Sequence, residues 1–112
     1  MIDLKKWGIT MTNGEVQNIE NPDTFQIPNE CWRMNLMVDT FVKIIFNMPD
    51  GAERMWVKVV ERLEERGMYI GALGNVPFQS SEFGLGDEFF FHAKHIIDIF
   101  EERIPWAGCL KK

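Results

Sequence analysis

Cysteine, tyrosine, basic residues and long apolar runs are all in short supply in this chain of 112 residues. Its two cysteines, Cys31 and Cys109, lie far apart and form no Cys-x-x-Cys pair. That usage fits two buried free thiols in a reducing compartment better than a disulfide framework. The densest apolar patches, Phe89-Phe90-Phe91 and Ile96-Ile97, are each cut short by a charge or a histidine. Neither approaches the roughly 20 apolar residues that span a bilayer. Met1 to Trp7 lacks the apolar stretch of a secretory signal, so the expectation is a cytoplasmic protein with no membrane segment. Twelve bases against seventeen acids leave a net charge of -5 and no basic stripe, which argues against a nucleic-acid partner.

What is present is an ordinary globular composition, 46% hydrophobic and 26% charged. Residues 1-112 are read as a single domain, large enough to bury roughly two-thirds of its unfolded surface around one core. Asn13-Gly14 lies between Ile9-Thr10-Met11-Thr12 and Glu15-Val16-Gln17-Asn18-Ile19. An Asn-Gly pair suits a type I′ turn, so a hairpin is expected with Met11 opposite Val16. Thr24 to Ile27, ahead of Pro28, reads as a short edge segment. Thr40 to Phe46 is β-branched and aromatic throughout and ends at Asn47-Met48-Pro49-Asp50-Gly51, a strand followed by a turn. A second turn at Gly84-Leu85-Gly86-Asp87 leads into Glu88 to His92, and Ile96 to Phe100 continues as strand or helix.

Two signals collide between Ala52 and Gly67. Met55, Trp56, Val59, Val60 and Leu63 recur at helical spacing, and Gly67 could close a helix. Yet Trp56, Val57, Val59 and Val60 are strand-favouring residues, and Glu64 to Gly67 can serve as a hairpin loop into Met68 to Leu73. The residues alone leave helix and strand both open.

Constellations that could carry chemistry are weak. Gly84-Leu85-Gly86 is followed by Asp87-Glu88, which would repel a phosphate. Glu88, His92 and His95 would share one face of a helix and could hold a metal; on a strand the two histidines diverge, one capping the strand and one solvated. The turn before the Phe run favours the strand, so no metal and no cofactor is expected. Ser80 and Ser81 lack a strained Gly-x-Ser-x-Gly elbow, and Glu64-Glu65 falls in an exposed turn where desolvation cannot tune a carboxylate. Cys31 reads as a buried thiol rather than a nucleophile. The chain is therefore expected not to be an enzyme. Of the four tryptophans, Trp56 between Met55 and Val57 is assigned to the core, while Trp7 and Trp106 near the termini read as end-caps or interface.

Glu53 to Val59, Tyr69-Ile70-Gly71-Ala72-Leu73-Gly74-Asn75-Val76-Pro77, Leu85 to Phe91 and His95-Ile96 follow one another in a recognisable order. The pattern is a Trp-Val strand, a Gly-x-Leu-x-Asn-x-Pro strand end, a Gly-Asp strand start and a closing His-Ile. It resembles a group of small bacterial domains of unknown function that includes the thirty-third family of polymorphic-toxin immunity proteins, over residues 21-100. Where such domains often carry Gly-Asp before the Val-Lys strand, this chain has Val38-Asp39. The resemblance implies strands at 54–63 and 68–75. The fold expected is therefore mainly β, a small bent antiparallel sheet or barrel with at most one short helix, the alternative being α+β with a helix at 52-66.

In that frame Trp56, Gly71, Asn75, Pro77, Gly86 and Asp87 maintain the fold. Gly71 and Gly74 allow close backbone approach, Asn75 and Pro77 close the strand, Gly86 takes a left-handed turn position and Asp87 accepts backbone N–H bonds. Function, on this resemblance, is non-catalytic binding: a toxin-neutralising immunity protein whose acidic residues Glu61, Glu64, Glu65, Glu82 and Glu88 meet a basic protein toxin. The alternatives are a housekeeping module for a small ligand or a peptide, and an enzyme with no recognisable motif.

Overall fold

The computed structural model describes residues 1–78 and 82–100. Their strands are Thr10–Met11 (β1), Phe41–Met48 (β2), Gly51–Arg62 (β3), Met68–Leu73 (β4), Glu88–His92 (β5) and Asp98–Ile99 (β6). Two short helices, Gly14–Glu20 (α1) and Glu30–Met34 (α2), and 3-10 turns at Leu4–Trp7 and Ala93–His95 complete the described elements. The strands are all antiparallel and curl into a half-barrel in the order β1-β2-β3-β4-β5, with β6 added to β2. This is the mainly β architecture expected. No helix among the described residues is long and apolar enough to cross a membrane.

The conflict at 52–66 resolves as strand because β2 pairs with β3 from Gly51 to Lys58 and β4 pairs with the rest. A two-residue connection, Pro49–Asp50, sets Met48 opposite Gly51 and carries the register to Phe41 opposite Lys58. Alternation then sends Met55, Val57 and Val59 inward, where Val42, Ile44, Phe46 and Met48 already point. The helical spacing of Met55, Val59 and Leu63 is overridden by this pairing. A bulge between Val59 and Glu61 breaks the β3–β4 ladder, and a local bulge of this kind bends a strand. Gly67, at φ +84°, closes the β3–β4 hairpin as its only left-handed residue.

Strands β1 and β6 lie end to end along the same side of β2. Thr10 and Met11 face Asn47 and Phe46, while Ile99 and Asp98 face Val42 and Lys43. Inside the curl, Phe46, Phe83 and Phe89 form a cluster of tilted and edge-on rings, and Tyr69 stacks on Phe91. Trp32 from α2 and Leu36 join the same core. Burying an apolar side chain of this size contributes about 1.5–3 kcal/mol each, so the inner face is where the fold's stability resides.

Several expectations fail here. Asn13-Gly14 is not a hairpin turn but the start of α1: Asn13 Oδ1 accepts the Val16 N–H at 3.1 Å, an N-cap. Gly14 is pressed so close to the Ala93–His95 turn and the residues after it that an added Cβ would lie 3.3 Å from Lys94 O and 3.1 Å from Ile97 Cγ2. Val16 is left exposed instead of facing Met11, and Ile19 is exposed as well. Thr24 to Ile27 forms a turn and an extended loop but joins no sheet. Cys31 is disulfide-bonded rather than a free thiol; Cys109 and Trp106 lie outside the described residues. The Val38-Asp39 departure is absorbed by a turn in which Thr40 N donates to Met37 O, with the positive φ of 77° at Asp39 and not at the valine.

Candidate functional site

If one set of side chains on β2 and β3 points inward, the set between them must point out. Phe41, Lys43 and Ile45 therefore line up with Lys58, Trp56 and Arg54 across the outer face of the sheet. Trp56, assigned to the core from its neighbours, is on the opposite side from both of them: Met55 and Val57 are buried, and Trp56 is half-buried on the outer face. Lys43 Nζ lies 4.6 Å from the centre of the Trp56 ring, a cation–π contact. Phe100 meets the same ring edge-on at 5.6 Å. Phe41 and Phe100 remain 37% and 55% exposed, so aromatic surface persists on both sides of the tryptophan.

Beside this face lies a cleft of about 400 Å³. Its floor is Lys43, Arg54, Ile97 and Asp98, and its wall is the extended loop from Thr24 to Pro28. The loop is held at both ends: Asn18 Nδ2 donates to Phe25 O at 2.9 Å, and Arg33 Nε donates to Pro28 O at 2.8 Å. The Arg54 guanidinium sits 5.8 Å over the Phe25 ring. Lys58 reaches Asp39 at 3.8 Å, but neither Lys43 nor Arg54 has an ion pair among the described residues.

A second polar cluster lies inside, where α1, α2 and the Ala93–His95 turn meet. Arg33 is only 5% exposed. Its Nη1 donates to Glu15 Oε2 at 2.6 Å and to Ala93 O at 3.3 Å, and its own carbonyl accepts the Tyr69 hydroxyl at 2.8 Å. Burial raises the Tyr69 phenol above its ordinary value, although it also accepts the Leu36 N–H, which acts the other way. The two histidines cap the backbone of this turn: His92 Nδ1 accepts the Lys94 N–H at 2.9 Å, and His95 Nδ1 accepts the His92 N–H at 3.1 Å. Desolvation, with Lys94 and His92 adding to it and Glu15 opposing, pushes His95 down to about 4. His92 thus caps the 3-10 turn after β5 rather than a strand edge, and His95 is partly buried rather than solvated. With both Nδ1 atoms committed to backbone amides, the cluster is a clamp between elements. Glu88 sits at the far end of β5 from His92, and no group of three His, Cys, Asp or Glu side chains among the described residues could hold a metal ion.

The five acidic residues do not form one patch. Glu61, Glu64 and Glu65 gather at the β3–β4 hairpin, where Arg62 and Arg66 are interleaved with them. Glu88 pairs with Ala72 at the other end of β4, and Glu82 lies in the loop before it. Four residues of strand separate Glu88 from the hairpin end, about 13 Å at the rise of a β-strand. Ser80 and Ser81 lie outside the described residues.

The motif residues act on the backbone. An added Cβ on Gly71 would overlap Val57 Cγ1 and fall 2.8 Å from Phe91 Cε2, so this glycine lets two large core residues close over β4. Gly74 N donates to Trp56 O at 2.8 Å, and Asn75 Oδ1 accepts the Trp56 N–H. Asn75 therefore closes β4 by bonding across to β3, not to its own backbone. Pro77 is buried. Gly86 has φ +88°, and Asp87 Oδ2 accepts the Gly84 N–H at 2.9 Å, the turn the sequence predicts.

The residues that sequence reasoning missed are Lys43, Arg54, Phe25, Asp98 and Arg33. A usable signal existed for the first two, since a two-residue connection after Met48 puts them beside Trp56 once β3 is taken as a strand. Comparison with protein-family models, curated proteins and solved structures finds no match to this chain.

Proposed function

We propose that this chain is a non-catalytic binding protein that holds a partner protein against the outer face of its sheet, in the manner of a toxin-neutralising immunity protein. The observation that carries the reading is the Trp56 cluster, with Lys43 on its ring and Phe41 and Phe100 beside it, presented outward rather than spent on the core. Tryptophan and arginine in a compact apolar patch are the composition of interface hot spots. The polarity of the face alters the partner that the acidic residues suggested. Lys43, Arg54 and Lys58 are central and Asp39, Asp98 and Glu88 lie at the rim. Such a face suits an acidic patch on the partner's surface, with basic side chains of the partner at its edge. A continuous phosphate backbone would run into those three carboxylates on a chain of net charge -5.

Co-expression with the toxin-like protein encoded beside this chain's gene tests the reading. The wild type should restore growth, and the pair Trp56→Ala and Lys43→Glu should lose protection while keeping the wild-type circular dichroism spectrum. No neighbouring toxin-like gene, no protection by the wild type, or equal protection by the folded variant would each remove it.

A further inference from the structure

The cleft between the Thr24–Pro28 loop and the sheet has properties that binding a protein on the Trp56 face does not require. It adjoins that face and shares Lys43 and Arg54 with it, its volume of about 400 Å³ is in the range of small-molecule sites, and it is positive within an acidic chain. Two cations, Lys43 and Arg54, stand against one carboxylate, Asp98, opposite Lys43 in the β2–β6 register. Asp98 Oδ1 is engaged by the Ile99 N–H at 2.9 Å, and no Asp98 ion pair to either cation occurs among the described residues. Both cations are steered by aromatic rings, Lys43 by Trp56 and Arg54 by Phe25, which restricts their rotamers without neutralising them.

The wall adds donors. Phe25 O and Pro28 O are bonded to Asn18 and Arg33, so the loop is pinned at both ends. Between those pins, the Gln26 and Ile27 N–H groups make no hydrogen bond to another described residue. Unspent backbone amides in a wall, above a floor that carries a guanidinium and an ammonium, are donors of the kind that recognise anionic oxygens. The preformed loop lowers the ordering cost of using it.

We infer that this cleft is a binding site for a small organic anion, a carboxylate or phosphate carried on a ring or apolar body, with the anionic oxygens on Arg54 and Lys43 and the body against Phe25 and Ile27. The site needs no toxin, so its test is separate from co-expression. Isotope-labelled protein is titrated with phenyl phosphate, benzoate and inorganic phosphate at low salt, followed by amide and indole NMR shifts. The expected result is saturable shifts concentrated at Gln26, Ile27, Lys43, Arg54 and the Trp56 indole, with phenyl phosphate binding several-fold tighter than inorganic phosphate. Arg54→Gln, an exposed residue whose loss leaves the core intact, should weaken phenyl phosphate at least tenfold. Asp98→Asn keeps the acceptor for Ile99 and should tighten it several-fold. The relative response to benzoate and phenyl phosphate tells which anion the site prefers. Shifts scattered over the surface lysines, equal binding of phenyl and inorganic phosphate, or an Arg54→Gln protein that binds as well as the wild type would overturn the assignment.

Discussion

Gly71→Ala should be among the most damaging single-methyl additions to this protein. The new Cβ would enter the space of Val57 Cγ1 and approach Phe91 Cε2 to 2.8 Å, and both neighbours are core side chains with about 1% exposure or less. Neither is the loose end of a flexible chain: Val57 is β-branched, and Phe91 is stacked on Tyr69 at 5.2 Å. Relief must come from shifting backbone on β3 or β5, and overpacking of this kind costs about 2 kcal/mol. For a domain of this size that is a fall of roughly 10 °C in melting temperature. Urea denaturation should show a lower midpoint with an unchanged m value, since the surface exposed on unfolding is the same. Val57→Ala alone leaves a cavity and also costs about 2 kcal/mol. In the double variant the alanine methyl enters the space Val57 vacates, so the two losses together should fall short of their sum by about 1 kcal/mol. A Gly71→Ala protein within 0.5 kcal/mol of wild type, or strictly additive losses in the double variant, would refute the close-approach explanation of this glycine.

The His95 imidazole is held down to about 4 in the folded chain against an ordinary value of 6.5, so the unfolded chain binds the extra proton between those values. Its contribution is complete above pH 6.5 and is lost as the pH falls towards 4; partial exposure reduces it to about 2 kcal/mol. His95→Gln should flatten the stability-versus-pH slope in that window by about one proton, measured by denaturation at each pH, and an unchanged slope would contradict the assignment. Asn75→Ala leaves the Trp56 N–H without its side-chain acceptor and should cost about 1–2 kcal/mol, with faster amide exchange at Trp56 as the direct readout. Asp39→Gly removes a left-handed aspartate at the expense of one long, exposed ion pair to Lys58, and thermal melts should show a gain of about 0.5–1 kcal/mol.

Legibility in the sequence followed the range of the interactions. The strand β2 could be read because a β-branched and aromatic run ending at a turn is a local feature, and the Gly86-Asp87 turn because its hydrogen bond spans three residues. The residues of β3 carried helical spacing beside strand-favouring side chains, and pairing with β2, a long-range contact, decides between them. Asn13-Gly14 misled because the same asparagine oxygen that tolerates a tight turn also caps a helix, and only the packing of Gly14 on the Ala93–His95 turn decides between them. Trp56 was misplaced by judging it from its apolar neighbours, when alternation puts nearest neighbours on opposite faces. The Arg33 clamp was out of reach: its partners Glu15 and Ala93 lie 18 and 60 residues away, and nothing near Arg33 announces either. The binding cleft is intermediate, its floor derivable from register and its wall dependent on where an irregular loop comes to rest.

The sharing of one side of β2 by β1 and β6 has a bearing on synthesis. The carbonyls of Phe41 and Lys43 accept the N–H groups of Phe100 and Ile97, among the last described residues to leave the ribosome. Until they arrive, a nascent chain that has already zipped β2 to β3 presents an unprotected run of Phe, Val and Lys to its neighbours, the kind of template on which foreign strands accrete. Prompt release or a chaperone holding that half-edge would matter more to yield than the stability of the finished domain.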